Sequence, residues 1–166
     1  MNLRKAAILC CCVFLALFAS ACSAETAPEP AAVPTEVEGV YQITCGDFSF
    51  TAALTAAAGR AEIVFREPAT LAGYRLVCTD QEVTFEICGV TSTQRAQDSP
   101  ASSIPAMLCP VLRELFSTGG TYTPGEAGGV YQTAGVTAEL DADGQVQSFR
   151  NTEETVQAQR IPEATI

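Results

Sequence analysis

The chain of 166 residues contains no histidine and no tryptophan. Without His, Ser-His-Asp and Cys-His nucleophile systems are excluded, as are the common His-based zinc sites. Without Trp, the best aromatic stacking platform is missing. Positive charge is scarce too. Nine Lys and Arg stand against 19 Asp and Glu, a formal net charge of −10. That balance repels nucleic acid, so no DNA or RNA partner is expected. A phosphate-binding loop is also lacking, because Gly119-Gly120 and Gly128-Gly129 are followed neither by a helix pattern nor by Lys.

What is present begins with a leader. Met1–Lys5 is short and basic and holds the only Lys of the chain; Ala6–Ala19 is an unbroken apolar run of 14 residues. A bilayer-spanning helix needs about 20 apolar residues. A secretory signal needs about 7–15. Residues 1–21 therefore read as a signal peptide, and Cys10, Cys11 and Cys12 leave with it. Its end, Leu17-Phe18-Ala19-Ser20-Ala21-Cys22, resembles a bacterial lipobox, although Ala19 stands where such boxes usually carry Leu. The resemblance implies a diacylglyceryl thioether on Cys22, with acyl chains of the palmitate type. An ordinary small-x-small signal site would cut at the same place. After cleavage Cys22, Cys45, Cys78, Cys88 and Cys109 remain. Lipidation of Cys22 leaves an even number of thiols, which suits an oxidising compartment. The expectation is a cell-membrane protein, lipid-anchored on the extracytoplasmic face. The mature part keeps 7 Arg against 19 acids, a net −12.

Residues 22–38 are rich in Ala, Pro, Glu and Thr and poor in large apolar side chains. Such a segment buries too little surface to fold. It reads as a disordered tether that reaches about 50 Å at polyproline II spacing.

From Gly39 the pattern changes to period two, and residues 39–166 read as one antiparallel domain. Tyr41, Ile43 and Cys45 alternate with polar residues, as do Phe48, Phe50, Ala52 and Leu54, and then Ala61, Ile63 and Phe65. Ala57-Ala58-Gly59-Arg60 is a turn. A two-residue turn at Asp80-Gln81 sets Cys78 opposite Val83, Leu76 opposite Phe85 and Tyr74 opposite Ile87, all on one face. Under that pairing Cys78 and Cys88 point to opposite faces, and a bond between them is disfavoured. Cys45, Cys78, Cys88 and Cys109 are disulfide candidates, with the pairing open, and the alternative is that all four stay free in a reducing niche. Thr91–Ser103 reads as a long polar loop.

Ile104–Phe116 breaks the strand pattern. Ile104, Met107, Leu108, Val111, Leu112 and Leu115 fall on one helical face, with Ser102 or Ser103 as cap and Pro105 in the first turn. Pro110 is expected to divide this run and start a second short helix. Val130–Thr133, Val136–Asp141 and Gln145–Arg150 read as short strands, the last two joined through Asp143-Gly144. The tail from Asn151 adds one weak strand. The total is seven to nine strands and one helical segment.

Two acidic motifs need weighing. Glu139-x-Asp141-x-Asp143-Gly144 imitates a calcium loop, but its twelfth position is Arg150 where a bidentate Glu is required, so a hairpin turn is expected. Glu153-Glu154 and Glu36/Glu38 imitate paired acid/base carboxylates, but they sit in segments read as flexible and solvated. No catalytic residue, metal site or cofactor is assigned, and no enzyme is expected.

Ala61-Glu62-Ile63-Val64-Phe65-Arg66-Glu67-Pro68, then Leu71-Ala72-Gly73, a strand ending at Gly89, a polar loop and a Leu-rich helix together resemble the LolA/LolB-like lipoprotein-carrier superfamily. The resemblance covers about residues 39–118. It implies an α+β fold: a curved antiparallel sheet or half-barrel with a helical segment covering its concave face. It also implies an apolar cavity that takes an acyl chain of a lipid or lipoprotein. Phe48, Phe50, Leu54, Ile63, Phe65, Leu76 and Phe85 would line it, with Leu108 and Leu112 from the helix. The expected molecule is a monomer that meets the membrane through its anchor. The alternative is a cell-envelope interaction or scaffold module with no ligand cavity.

Overall fold

The computed structural model describes residues 34–162. The leader and Cys22 lie outside the described residues, as does the expected tether up to residue 33. Eleven strands follow in order: β1 (Glu36–Cys45), β2 (Phe48–Ala57), β3 (Arg60–Glu67), β4 (Arg75–Thr79), β5 (Glu82–Ile87) and β6 (Val90–Arg95); then, after one helix, β7 (Thr121–Gly125), β8 (Gly128–Gln132), β9 (Val136–Asp141), β10 (Val146–Asn151) and β11 (Val156–Ile161). A 3-10 turn at Ala96–Asp98 precedes the helix α1 (Ile104–Leu115).

All eleven strands form one open antiparallel sheet in the order β6-β5-β4-β3-β2-β1-β11-β10-β9-β8-β7. The first half meanders outward from the centre, and the second half meanders back in. Strands β6 and β7 are consecutive in sequence but lie at opposite edges, so the connection that carries α1 crosses the sheet. The alternation puts Tyr41, Ile43, Phe50, Leu54, Ile63, Leu76, Ala138, Phe149 and Ala158 in the same buried core as Leu108, Val111, Leu112 and Leu115 of the helix. The opposite face is largely polar. On it Arg75 joins Glu62 (2.7 Å) to Glu86 (3.0 Å), an ion-paired row across β3, β4 and β5.

The turn at Asp80-Gln81 gives the expected register, with Cys78 opposite Val83 and Leu76 opposite Phe85. Ala58-Gly59 joins β2 to β3 as expected, with Gly59 at φ +81°. Asp143-Gly144 also turns as expected. Asp141 Oδ1 accepts the backbone N–H groups of Asp143 (3.0 Å) and Gln145 (2.8 Å), and its Oδ2 accepts Gln147 Nε2 (2.7 Å). Both carboxylate oxygens thus serve the hairpin.

Five features differ from the sequence expectations. The domain begins before Gly39: β1 starts at Glu36, and Val37 is fully buried opposite Ala56. The acidic pair Glu36/Glu38 is thereby ordered in a strand. Thr91–Ser103 is not a continuous loop, because its first half completes β6 against β5. The sheet has eleven strands, with β7 the other unexpected one. The tail strand β11 is not peripheral; it pairs with both β1 and β10 at the middle of the sheet. Finally, α1 runs unbroken through Pro110. Pro110 lies on the exposed side of α1, where solvent can hydrate the Ala106 carbonyl that loses its helical donor.

Candidate functional site

Phe48 opens β2 and Phe65 lies near the end of β3, while Leu76 and Phe85 pair across β4 and β5. These four side chains project from the helix-covered face at one end of the sheet. The segment between β3 and β4 folds over them. Leu71 N–H donates to the Pro68 carbonyl (2.8 Å), Tyr74 N–H to the Leu71 carbonyl (3.0 Å) and Gly73 N–H to the Phe65 carbonyl (3.0 Å). Gly73 takes φ +83°, which a glycine adopts without strain. Leu71 and Tyr74 are thereby brought to the mouth of a pocket that Ile87, Ile104 and Pro105 close from the other side. Its volume is about 290 Å³.

The pocket is almost wholly apolar. Besides the Tyr74 hydroxyl, its polar side chains are Arg75 and Ser103. The Arg75 guanidinium is drawn to the opposite face by Glu62 and Glu86. The hydrogen bond from Arg75, reinforced by the charges of Arg75 and Arg60, holds the Glu62 carboxyl below its ordinary range. Ser103 is the N-cap of α1, and its Oγ has no hydrogen-bond partner among the described residues.

Of the nine residues expected to line a cavity, Phe48, Phe65, Leu76 and Phe85 do so. Phe50, Leu54, Ile63, Leu108 and Leu112 do not line it; they are sealed in the core at 2% exposure or less. The difference is physical. In mid-sheet α1 packs directly on the strands, and at its N-terminal end it leaves a gap. Phe50 still backs the pocket through Phe65, at 4.9 Å between ring centroids. Leu71, Tyr74, Ile87, Ile104 and Pro105 were not on that list. The period-two register already placed Tyr74 and Ile87 on the correct face, and the helical stripe included Ile104. Leu71 comes from a segment with no periodicity to read.

Among the cysteines, Cys78 and Cys109 are joined, with Cα atoms 6.1 Å apart, tying β4 to α1. Cys45 and Cys88 are free. Cys45 is buried, and burial raises its thiol pKa to about 11. Cys88 is exposed in the two-residue turn between β5 and β6, at φ +50°. Burial likewise raises the Tyr41 hydroxyl to about 12; it donates to the Val146 carbonyl at 2.6 Å.

Among the described residues no cluster of three or more His, Cys, Asp or Glu is placed to hold a metal ion. No helix among them is long and apolar enough to cross a membrane.

No family model matches the chain. No curated protein matches it either. Among solved structures, a LolA superfamily protein from Nitrosomonas europaea is similar over 79% of this chain and 71% of its own, at 7% sequence identity and a TM-score of 0.32.

Proposed function

We propose that this chain is a membrane-anchored extracytoplasmic lipoprotein whose domain binds an acyl chain or another apolar ligand between sheet and helix. The pocket beside the N-terminus of α1 carries this reading. It is an unfilled apolar space ringed by Phe48, Phe65, Leu71, Phe85 and Ile87. In this reading the sheet curves as a half-barrel, and α1 covers its concave side. The lipobox ending at Cys22 supplies the anchor, and the role is binding rather than turnover.

Size narrows the ligand. Ligand pockets usually span about 300–1,000 Å³. A volume of about 290 Å³ takes one short acyl segment, not a whole multi-acyl anchor.

The test is native mass spectrometry of the Cys22→Ser chain beside a denatured control. An extra mass released as lipid on denaturation is expected, and Ile87→Trp should abolish it by filling the pocket. The Cys22→Ser chain should also leave the membrane fraction. A bare polypeptide mass that persists after incubation with lipids would remove the ligand reading. It would favour the second one, a cell-envelope interaction or scaffold module. That reading draws on the sealed core under mid-helix and on the exposed apolar side chains Phe48 and Val90, at 48% and 71% exposure. A partner protein sensitive to salt would then be the thing to capture.

A further inference from the structure

The two edges of the sheet are built differently. Along an antiparallel edge strand, alternate residues turn their N–H and C=O groups outward. In β7 the turn Glu126-Ala127 makes Gly125 and Gly128 a hydrogen-bonded pair, so Tyr122 and Pro124 are the outward residues. Pro124 has no N–H to offer, and a proline so placed protects an edge from further pairing.

The other edge has no such device. Strand β6 pairs with β5 in unbroken register and contains neither proline nor an acidic residue. Ala96 N–H donates to the Gln81 carbonyl at 2.8 Å, in step with the even-numbered residues of β6. Thr91, Thr93 and Arg95 therefore turn their backbone groups outward, and all three are exposed. Those N–H and C=O groups have no partner among the described residues, and neither has the Arg95 guanidinium. Val90, which opens β6, is 71% exposed, more than any other large apolar side chain among the described residues.

We propose that β6 is a self-pairing edge, through which two copies of this chain join antiparallel about a two-fold axis at Thr93 and form one continuous sheet. A second copy fits because the strand complements itself. In this register Thr93 stands opposite Thr93, and Thr91 opposite Arg95 of the second copy. Every outward residue of both strands then exchanges hydrogen bonds. No like charges meet. On the polar face the hydrogen bond between Thr84 and Thr93 (3.0 Å) abuts the same pair of the second copy. The row Arg75-Glu86-Thr91 runs on into Arg95 and Glu82 of the second copy, so charges alternate along it. On the other face, Val90 is laid against Ala96 of the second copy, beside Ile87. Such a contact is isologous, the commonest kind in dimers. The resemblance noted from the sequence implies a monomer; the edge implies a dimer. The proposal does not depend on the ligand of the apolar pocket.

The test runs in intact cells that express the full chain at a low level, with Cys88→Ser throughout to remove the exposed thiol. Opposed residues of a hydrogen-bonded pair stand about 5.5 Å apart at Cα, a distance that a disulfide spans. Thr93→Cys should therefore yield a covalent dimer on mild oxidation, read by mass on a non-reducing gel. The Thr91 residues of the two copies are four positions out of register, about 13 Å apart, so Thr91→Cys should yield about five-fold less. Thr91→Pro added to Thr93→Cys removes one outward N–H and should lower the yield similarly. It should leave the melting temperature unchanged, because that N–H makes no bond to β5. Equal yields from Thr91→Cys and Thr93→Cys would show random collision and overturn the pairing, as would the absence of a dimer from Thr93→Cys. A Thr93→Cys product joined to a different protein would assign the edge to a foreign strand and overturn self-pairing.

Discussion

The two halves of the sheet hold the helix by different means. On the β1–β6 side the staples are covalent and ionic: Cys78–Cys109 ties β4 to α1, and Arg113 reaches Asp80 at 2.8 Å. On the β7–β11 side the means are shape and a buried hydroxyl. Tyr131 is buried and donates to the Ser117 carbonyl just beyond the helix. Its ring occupies the space that a side chain on Gly120 would need, and Tyr122 does the same over Gly129. Such aromatic cover restores contact area where a glycine offers none. The first half carries the apolar pocket, and an unfilled space forfeits dispersion contacts along its lining. The second flank of the helix is open too, with a cleft of about 710 Å³ against the β8–β9 and β10–β11 turns, so only the first flank sets a covalent staple beside its gap.

That contrast can be broken most sharply in the core. Phe149→Ala in β10 should cost about 3–5 kcal/mol in a denaturant titration, the usual range for a buried Phe. Phe85→Ala at the pocket should cost clearly less, because part of its surroundings is already empty. Equal losses would remove the distinction between the halves. Next comes the staple itself. Cys78 and Cys109 are separated by 31 residues, and the chain-entropy model gives about 3–4 kcal/mol for closing a loop of that size. The double Cys→Ala variant should show that loss and faster hydrogen exchange in α1, with little change in β9 and β10.

A smaller effect is expected at Gly128 in β8. Its φ is +143°, and a Cβ there would meet the Leu140 carbonyl oxygen at 2.0 Å. Gly128→Ala should cost about 1–3 kcal/mol, read as a lower melting temperature, and should loosen β8 against β9. The smallest effect lies on the polar face. Glu62 titrates below its ordinary range because Arg75 hydrogen-bonds its charged form. Its contribution is therefore fully present above the unfolded carboxylate pKa of about 4 and is lost as pH falls through the lower folded value. Glu62→Gln should lower stability slightly at neutral pH, where the contribution is fully present, and flatten the acid side of the curve so that variant and parent converge at low pH.

The local parts of the fold were legible. Alternation over Phe48–Leu54 and Ala61–Phe65, the Asp80-Gln81 register and the stripe on α1 all follow from neighbours in sequence. Edge strands were not. The segment Val-Thr-Ser-Thr-Gln-Arg of β6 is largely exposed, so it carries no buried face to reveal a period. Strand β7 contains Pro124 and Gly125, which ordinarily mark loops. The place of β11 was also hidden. Its own residues are unremarkable, and its central position comes from pairing with β1 more than a hundred residues earlier, as in Cys45 opposite Val156. The site was half legible for a similar reason. Period two chose the correct face, but whether a residue on that face meets the helix or the gap beside it depends on where α1 lands.

The seam between β1 and β11 has a mechanical consequence. The chain enters the sheet at Glu36 and leaves it at Ile161, and the register sets Ile161 opposite Val40, four residues from that entry. Both ends therefore emerge side by side from one edge of the seam, while Cys45 and Val156 lie at its far end. A pull on the two ends loads the hydrogen bonds of the seam in sequence, not all together. Under tension the sheet should open along its middle like a zip, one residue pair at a time, starting from the end where both termini leave.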